Sequence, residues 1–253
     1  MNPSRRRVFI GWDPNESMAA VVAQRSMLTH VTGPLDVHAL SLIQLRHQSL
    51  YTRPTEYRNG HLWDVISEAP MSTEHAISRF FVPYLCEYRG WALFVDGDVL
   101  VRGDLSDLFV LADPACAVQC VQHTAVVQGG TTKKDGVPQT VYYRKNWSSV
   151  MLFNCGHPAN RALDLTMVNT LPGRDLHRFC WLEDWQIGVL PQAWNYLVNV
   201  TPWFPAFVEL AHYTLGAPNL PAHHHDPFAD EWWDHARKAG YAVPDDALIK
   251  GGV

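Results

Sequence analysis

The sequence predicts an α/β domain with a mixed, mainly parallel sheet flanked by helices and an irregular C-terminal part. Three observations predict it. The chain opens with a strand–helix–strand pattern. An apolar run, Trp91 to Val95, stops abruptly at Asp96-Gly97-Asp98. A later apolar run at 149–154 has the length of a strand buried on both faces.

The elements follow in order. Residues 7–12 form a short buried strand. Asp13-Pro14-Asn15-Glu16 reads as a turn and helix start, with Asp13 as cap and Pro14 at the first helical position. Met18, Val21, Val22 and Leu28 keep helical spacing through His30, and 37–40 is a second strand. Residues 46–75 are polar and broken by prolines and look like a long loop or an excursion, of a length that is usually functional. Residues 78–88 look helical despite Pro83, and Gly90 then breaks the chain before the 91–95 strand.

Further strands are expected at 117–121 and 149–154, and helices at 159–170 and 184–190. Residues 128–146 read as a Gly-rich flexible loop carrying Lys133 and Lys134. From Trp194 onward Trp, Pro and His dominate without a regular pattern. With no repeat or linker, one domain over 1–253 with an irregular C-terminal part is the simplest organisation.

Composition narrows the function. A formal charge of -5 argues against nucleic acid as the main partner, because phosphate binding is driven by Lys and Arg. Five cysteines, an odd number without a CxxC pair, argue against a disulfide framework and for a reducing compartment. The run after Arg5–Arg7 is too short for a secretory signal, and no apolar stretch approaches a membrane span. The expectation is a cytoplasmic protein, with contact to the inner-membrane surface left open. Ten tryptophans are enough that some should sit partly exposed, where they can stack on bases or sugars.

The chemistry centres on Asp96 and Asp98. In an extended segment residues i and i+2 point the same way, and two adjacent carboxylates repel unless a cation lies between them. Mg²⁺ and Mn²⁺ prefer such ligands and leave coordination sites for phosphate oxygens. Gly97 allows close approach of a ligand to the backbone. The pair falls beyond the carboxyl end of a strand, where open α/β sheets bind ligands. Two ordinary turn acids are the alternative, and the preceding strand favours the metal.

At the end of the first strand, Gly11, Trp12, Asp13 and Asn15 could wall and hydrogen-bond a base, although spacing alone favours a cap role for Asp13. His212 could complete a metal shell, yet a lone His is more often structural. His223-His224-His225 reads as a solvated turn between prolines. Glu183, Asp184 and Gln186 either cap a helix or face a sugar. Arg79, Lys133, Lys134, Arg144 and Lys145 could neutralise a diphosphate, with the 133–145 loop as a lid or simply as a solvated basic loop.

Taken in order, these segments resemble a GT-A glycosyltransferase, similar to glycosyltransferase family 8. Phe9 to Asn15 resembles the family's first strand and base contacts. Ser78 to Pro83 resembles the Arg-bearing helix, and Trp91 to Val101 the strand with its DxD motif. Trp147 to Asn154 resembles the strand ending in Asn, Asp184 to Ile187 the acidic sugar segment, and His212 to Gly216 the C-terminal metal segment. The chain departs from the family at three places. It has Asp184-Trp185-Gln186 for Asp-Gln-Asp, Trp147-Ser148-Ser149 for Asn-Ala-Gly, and Ala217-Pro218-Asn219 for Lys-Pro-Trp. These departures suggest a sister family of bacterial or phage type.

The resemblance implies that Asp96, Asp98 and His212 hold Mn²⁺ or Mg²⁺. It implies that Gly11, Trp12, Asp13, Asn15, Asp96, Gly97 and Asn154 contact the donor, and that Asp184, Gln186 and Arg79 serve catalysis. A UDP-sugar would be the donor and a hydroxyl the acceptor, on a glycan, a lipid-linked glycan or a small molecule, with modified DNA less favoured. Transfer would retain anomeric configuration. Two rivals stand beside it. A haloacid-dehalogenase-type phosphatase also carries DxD, but Val99-Leu100 replaces its usual Gly-Thr continuation. A non-catalytic sugar-binding module would account for the tryptophans.

Overall fold

The computed structural model describes residues 6–123, 144, 146–202 and 207–248. Its centre is a six-stranded sheet. From one edge the strands are Ile187–Val189, Val118–Cys120, Val150–Asn154, Trp91–Val95, Arg6–Trp12 and Leu35–Ser41. Val150–Asn154 runs antiparallel to both its neighbours, and the other three pairs are parallel.

The strands alternate between two cores. Phe9, Phe94, Met151 and Phe153 face one side, against Ile77, Phe80, Phe81, Val168 and Leu176. Val8, Ile10, Leu93, Val95, Val150 and Leu152 face the other, against Ala20, Ala23 and Met27 of helix Ser17–Thr29. With both faces covered, the strands read as continuous apolar runs rather than alternating ones. Each fully buried side chain of this kind contributes about 1.5–3 kcal/mol. The opposite flank of the same helix, Ala19 and Val22, meets Trp232, Trp233 and Ala236 of a C-terminal helix, Ala229–Lys238.

A second sheet positions the site. Val99–Val101 begins just after the DxD turn and pairs antiparallel with Leu210–His212, which pairs parallel with Tyr196–Leu197. The DxD segment is therefore the hinge between two sheets.

Several expectations need correction. Residues 46–75 are not a structureless loop. They contain helix Leu42–His47's end and an antiparallel three-stranded sheet of Thr55–Arg58, His61–Asp64 and Ala69–Pro70. That excursion is pinned by buried Arg53, whose guanidinium pairs with Asp64 and donates to the carbonyls of Val168 and Leu171 at 2.8 and 2.7 Å. The 78–88 helix is a 3-10 turn, Ser78–Phe81, followed by one α-turn, Val82–Leu85. Pro83 lacks an N–H, so it starts the α-turn rather than continuing a longer helix.

The 159–170 helix is two pieces, Pro158–Ala162 and Leu165–Thr170. Asp164 caps the second through a 2.7 Å bond from Met167 N–H. At 184–190 a 3-10 turn, Asp184–Gln186, leads into an edge strand, because Ile187 and Val189 pair with the sheet. The C-terminal part is less irregular than its composition suggests, since it supplies two strands of the second sheet and helix Ala229–Lys238. Of the expected 128–146 loop, only Arg144 and Asn146 lie among the described residues, so Lys133, Lys134 and Lys145 fall outside them. No described helix is long and apolar enough to cross a membrane.

Candidate metal and donor site

Asp96 follows the last residue of Trp91–Val95, and its N–H donates to Ser149 O at 2.9 Å. Two residues on, Asp98 accepts from Tyr213 N–H at 3.0 Å through its backbone carbonyl. Because His212 is the register partner of Val99, this ladder lays its imidazole beside the two carboxylates. His212 Nε2 lies 3.2 Å from Asp98 Oδ1 and 3.9 Å from Asp96 Oδ2. One ligand atom from each of the three residues lies within 4.8 Å of the other two, and this is the one such group among the described residues. Two carboxylates and one imidazole suit Mn²⁺ or Mg²⁺ with positions left for phosphate oxygens.

The two acids are held differently. Asp96 Oδ1 faces Arg79 Nη1 at 2.9 Å and His75 Nε2 at 3.3 Å. Burial pushes the Asp96 carboxyl up. The Arg79 guanidinium, then His75 and His212, outweigh that and hold it well below the usual carboxylate range. Asp96 is thus kept ionised, with Oδ2 turned toward His212.

Arg79 is itself almost wholly buried. It donates to the carbonyls of His75 and Ala76 at 3.3 and 3.1 Å and to Ser148 O at 2.8 Å, and stacks over Phe94 at 4.9 Å. Its position fixes Asp96 and the 146–149 segment. His75 went unnoticed in the sequence because nothing in its spacing marks it. A signal existed in Gly11: a Cβ there would lie 2.3 Å from the His75 ring, so the glycine makes room for the imidazole.

Gly97 has a similar cause. A Cβ there would stand 2.6 Å from Gly11 O, so the DxD turn packs directly on the end of the first strand. Asp13 is buried, and its carboxylate accepts from Asn15 N–H and Glu74 N–H, both at 2.9 Å. It caps the 3-10 turn Pro14–Glu16 and tethers the excursion. Trp12 is half-buried and Asn15 exposed at the same edge. His123, just past Val118–Cys120, also sits at this edge, and burial followed by the influence of His212 lowers its imidazole pKa to about 4.

Three expected site residues lie apart from the metal cluster. Asn154 pairs with Trp91 while Val150 pairs with Val95. The antiparallel direction places Asn154 four residues, roughly 13 Å, toward the opposite end of the sheet. There its amide donates to Pro114 O at 3.3 Å, away from the Asp96, Asp98 and His212 cluster. The start of the same strand reaches the site instead, through Ser148 and Ser149.

Asp184 and Gln186 precede the edge strand, three strands across from Trp91–Val95. Gln186 Oε1 accepts Glu183 N–H at 2.9 Å in a capping box. Asp184 is strongly exposed and pairs with Arg144, whose guanidinium lies over Trp147 at 5.5 Å. Arg144 thereby links Asp184 to the segment entering the site. Trp185 between them is 71% exposed.

The 223–225 tract is not a solvated turn. His224 is buried against Trp233 and faces Asp246 at 3.2 Å, and His223 pairs with Asp226 at 2.7 Å. Only His225 is exposed.

No family model matches the chain. It is 42% identical over 230 residues to protein CDI of Arabidopsis thaliana, covering 89% of this chain and 84% of that protein. Among solved structures it is similar to the WbbM bifunctional glycosyltransferase, with a TM-score of 0.61, 15% identity, and 93% of this chain on 50% of that one. It is similar to the glycosyltransferase GlyE of Streptococcus pneumoniae TIGR4, with a TM-score of 0.58, 14% identity, and 92% of this chain on 60% of that one. The chain thus spans half the length of WbbM and about three fifths of GlyE. The galactosyltransferase LgtC, solved with donor and acceptor sugar analogs, matches nearly end to end: TM-score 0.57, 16% identity, 95% of this chain and 98% of that one. These likenesses establish the fold, and the identity to a plant protein establishes the kinship. The chain belongs to the family of Arabidopsis thaliana protein CDI and has the GT-A glycosyltransferase fold.

Proposed function

We propose that this protein is a metal-dependent glycosyltransferase that moves a sugar from a nucleotide sugar, with UDP as the favoured carrier, to an acceptor hydroxyl with retention at the anomeric carbon. One observation carries the reading. Asp96, Asp98 and His212 converge to within 4.8 Å at the carboxyl edge of the sheet, on a fold shared with glycosyltransferases.

Asp98 and His212 would hold Mn²⁺ or Mg²⁺, with Asp96 sharing its carboxylate between the metal and the donor ribose. When bound, the metal supplies charge neutralisation at the departing diphosphate. The protein's own residues do the rest. Arg79 and His75 keep Asp96 ionised and aimed. Gly11 and Gly97 seat the DxD turn on the end of the first strand, at the edge where Trp12 would wall a base bonded by Asp13 and Asn15. Asp184 and Gln186 would orient the donor sugar, a role supported by the Arg144–Asp184 pair, which ties their turn to the segment entering the site. The single domain would divide into a nucleotide half at about 1–125 and an acceptor half at about 126–253.

The test is a thermal-shift screen of nucleotide sugars with and without Mn²⁺, followed by donor hydrolysis assays. A Tm rise for a UDP-sugar that requires Mn²⁺ and vanishes in Asp98→Ala is expected. Wild-type donor turnover by Asp98→Ala would overturn the metal assignment.

A further inference from the structure

We infer that Asn195, held by Ser149, is a positioning residue that fixes the His212 tautomer so that Nε2 presents its lone pair to the metal. The inference rests on the proposed metal site and concerns residues outside it.

Three hydrogen-bond contacts fix where the protons lie. Ser149 Oγ lies 2.6 Å from Asn146 O. A carbonyl only accepts, so the one hydroxyl proton of Ser149 is committed there. Asn195 lies 2.9 Å from the same Oγ, which must therefore accept, so the Asn195 amide turns its NH₂ to Ser149. The same NH₂ points toward Asn146 O at 3.5 Å. The opposite amide orientation would set two oxygens 2.9 Å apart with no proton between them.

Asn195 Oδ1 is then the group 3.0 Å from His212 Nδ1. An amide oxygen only accepts, so Nδ1 carries the hydrogen and the neutral ring leaves Nε2 bare. Nε2 is the nitrogen 3.2 Å from Asp98 Oδ1. A lone pair facing a carboxylate at that distance is satisfied by a metal cation held by both groups, or by a second ring proton when no metal is bound.

Packing supports the assignment. Asn195 is wholly buried at the end of the 3-10 turn Gln192–Asn195. The next strand, Tyr196–Leu197, pairs Leu197 with His212, so backbone and side chain brace the same ligand. A histidine ligand's second nitrogen is commonly bonded in this way, and losing that bond typically costs about 10–100-fold in metal affinity.

The test measures Mn²⁺ affinity by electron paramagnetic resonance of free Mn²⁺ on the full chain, with circular dichroism to confirm folding. Asn195→Leu and Ser149→Ala should weaken Mn²⁺ binding, Asn195→Leu by about 10–100-fold. Asn195→Asp keeps an acceptor for Nδ1–H, with the Ser149 hydroxyl turned from Asn146 O to donate to the new carboxylate, and should keep Mn²⁺ binding near the wild-type level. In the metal-free wild type, ¹⁵N-histidine spectra should show His212 protonated at Nδ1, and Asn195→Leu should lose that preference. Wild-type affinity in both Asn195→Leu and Ser149→Ala, or an Nε2-protonated neutral His212 in the wild type, would overturn the inference. A wild type that binds no Mn²⁺ would instead sink the metal reading, and the tautomer spectrum would still decide the role of Asn195.

Discussion

His212 Nε2 and Asp98 Oδ1 face each other at 3.2 Å because His212 is the ladder partner of Val99. The contact is set by backbone register, not by a flexible side chain reaching across a cleft. A one-residue slip of that ladder would turn the imidazole to the other face of the small sheet and dismantle the cluster.

The close seat of Gly97 on Gly11 O gives the first prediction. Gly97→Ala forces a methyl to within 2.6 Å of a backbone carbonyl that cannot swing aside. The expected loss is about 1–3 kcal/mol in a denaturant melt, together with weaker Mn²⁺-dependent donor binding. A variant of wild-type stability and binding would mean that the two strand ends are farther apart.

Arg53 and Asp64 form a buried ion pair that ties the small antiparallel sheet to helix Leu165–Thr170. Removing one partner leaves the other charge buried. Asp64→Ala should cost about 3–5 kcal/mol. The double replacement Arg53→Met with Asp64→Leu should cost less than Asp64→Ala alone. Urea midpoints of the three proteins check the order.

Asp104 caps helix Leu105–Val110 and tethers the preceding turn. Its Oδ1 accepts from Thr32 N–H at 3.0 Å and from Ser106 N–H at 2.7 Å. Hydrogen bonding to Thr32, the largest effect, and then to Ser106 holds its carboxyl well below the ordinary range. A depressed folded-state pKa gives stability that is present above the unfolded value of about 4 and lost as pH falls toward the folded one. Asp104→Ala should therefore cost about 1 kcal/mol at neutral pH, and that difference should shrink below about pH 4. Melts at pH 7 and pH 3 make the comparison.

The cysteines give a labelling prediction. Cys86, Cys116, Cys120 and Cys155 are buried free thiols and Cys180 is exposed. Burial pushes the Cys120 thiol up to about 12. Native alkylation should add one adduct, at Cys180, and denatured alkylation without reductant should add five, as read by intact mass. Fewer adducts after denaturation would reveal a disulfide.

The sequence by itself determined the strand ends that matter. The apolar runs before Asp13 and Asp96 specify strands by local pattern, and the acid that follows each run marks its end. The strand-helix-strand opening and the metal pair were legible for that reason, as was His212 once the ordered motifs were read together. Only the tertiary structure decided which strand end reaches the site. Asn154 carried the expected residue type, but antiparallel pairing sent it to the far edge and brought Ser148 and Ser149 in its place. Register and direction are properties of a partner strand, and no local pattern in 149–154 encodes them. The same holds for His75, Asn195 and the buried Arg53–Asp64 pair. Their roles arise from contacts between segments distant in the chain, so composition and spacing could not mark them.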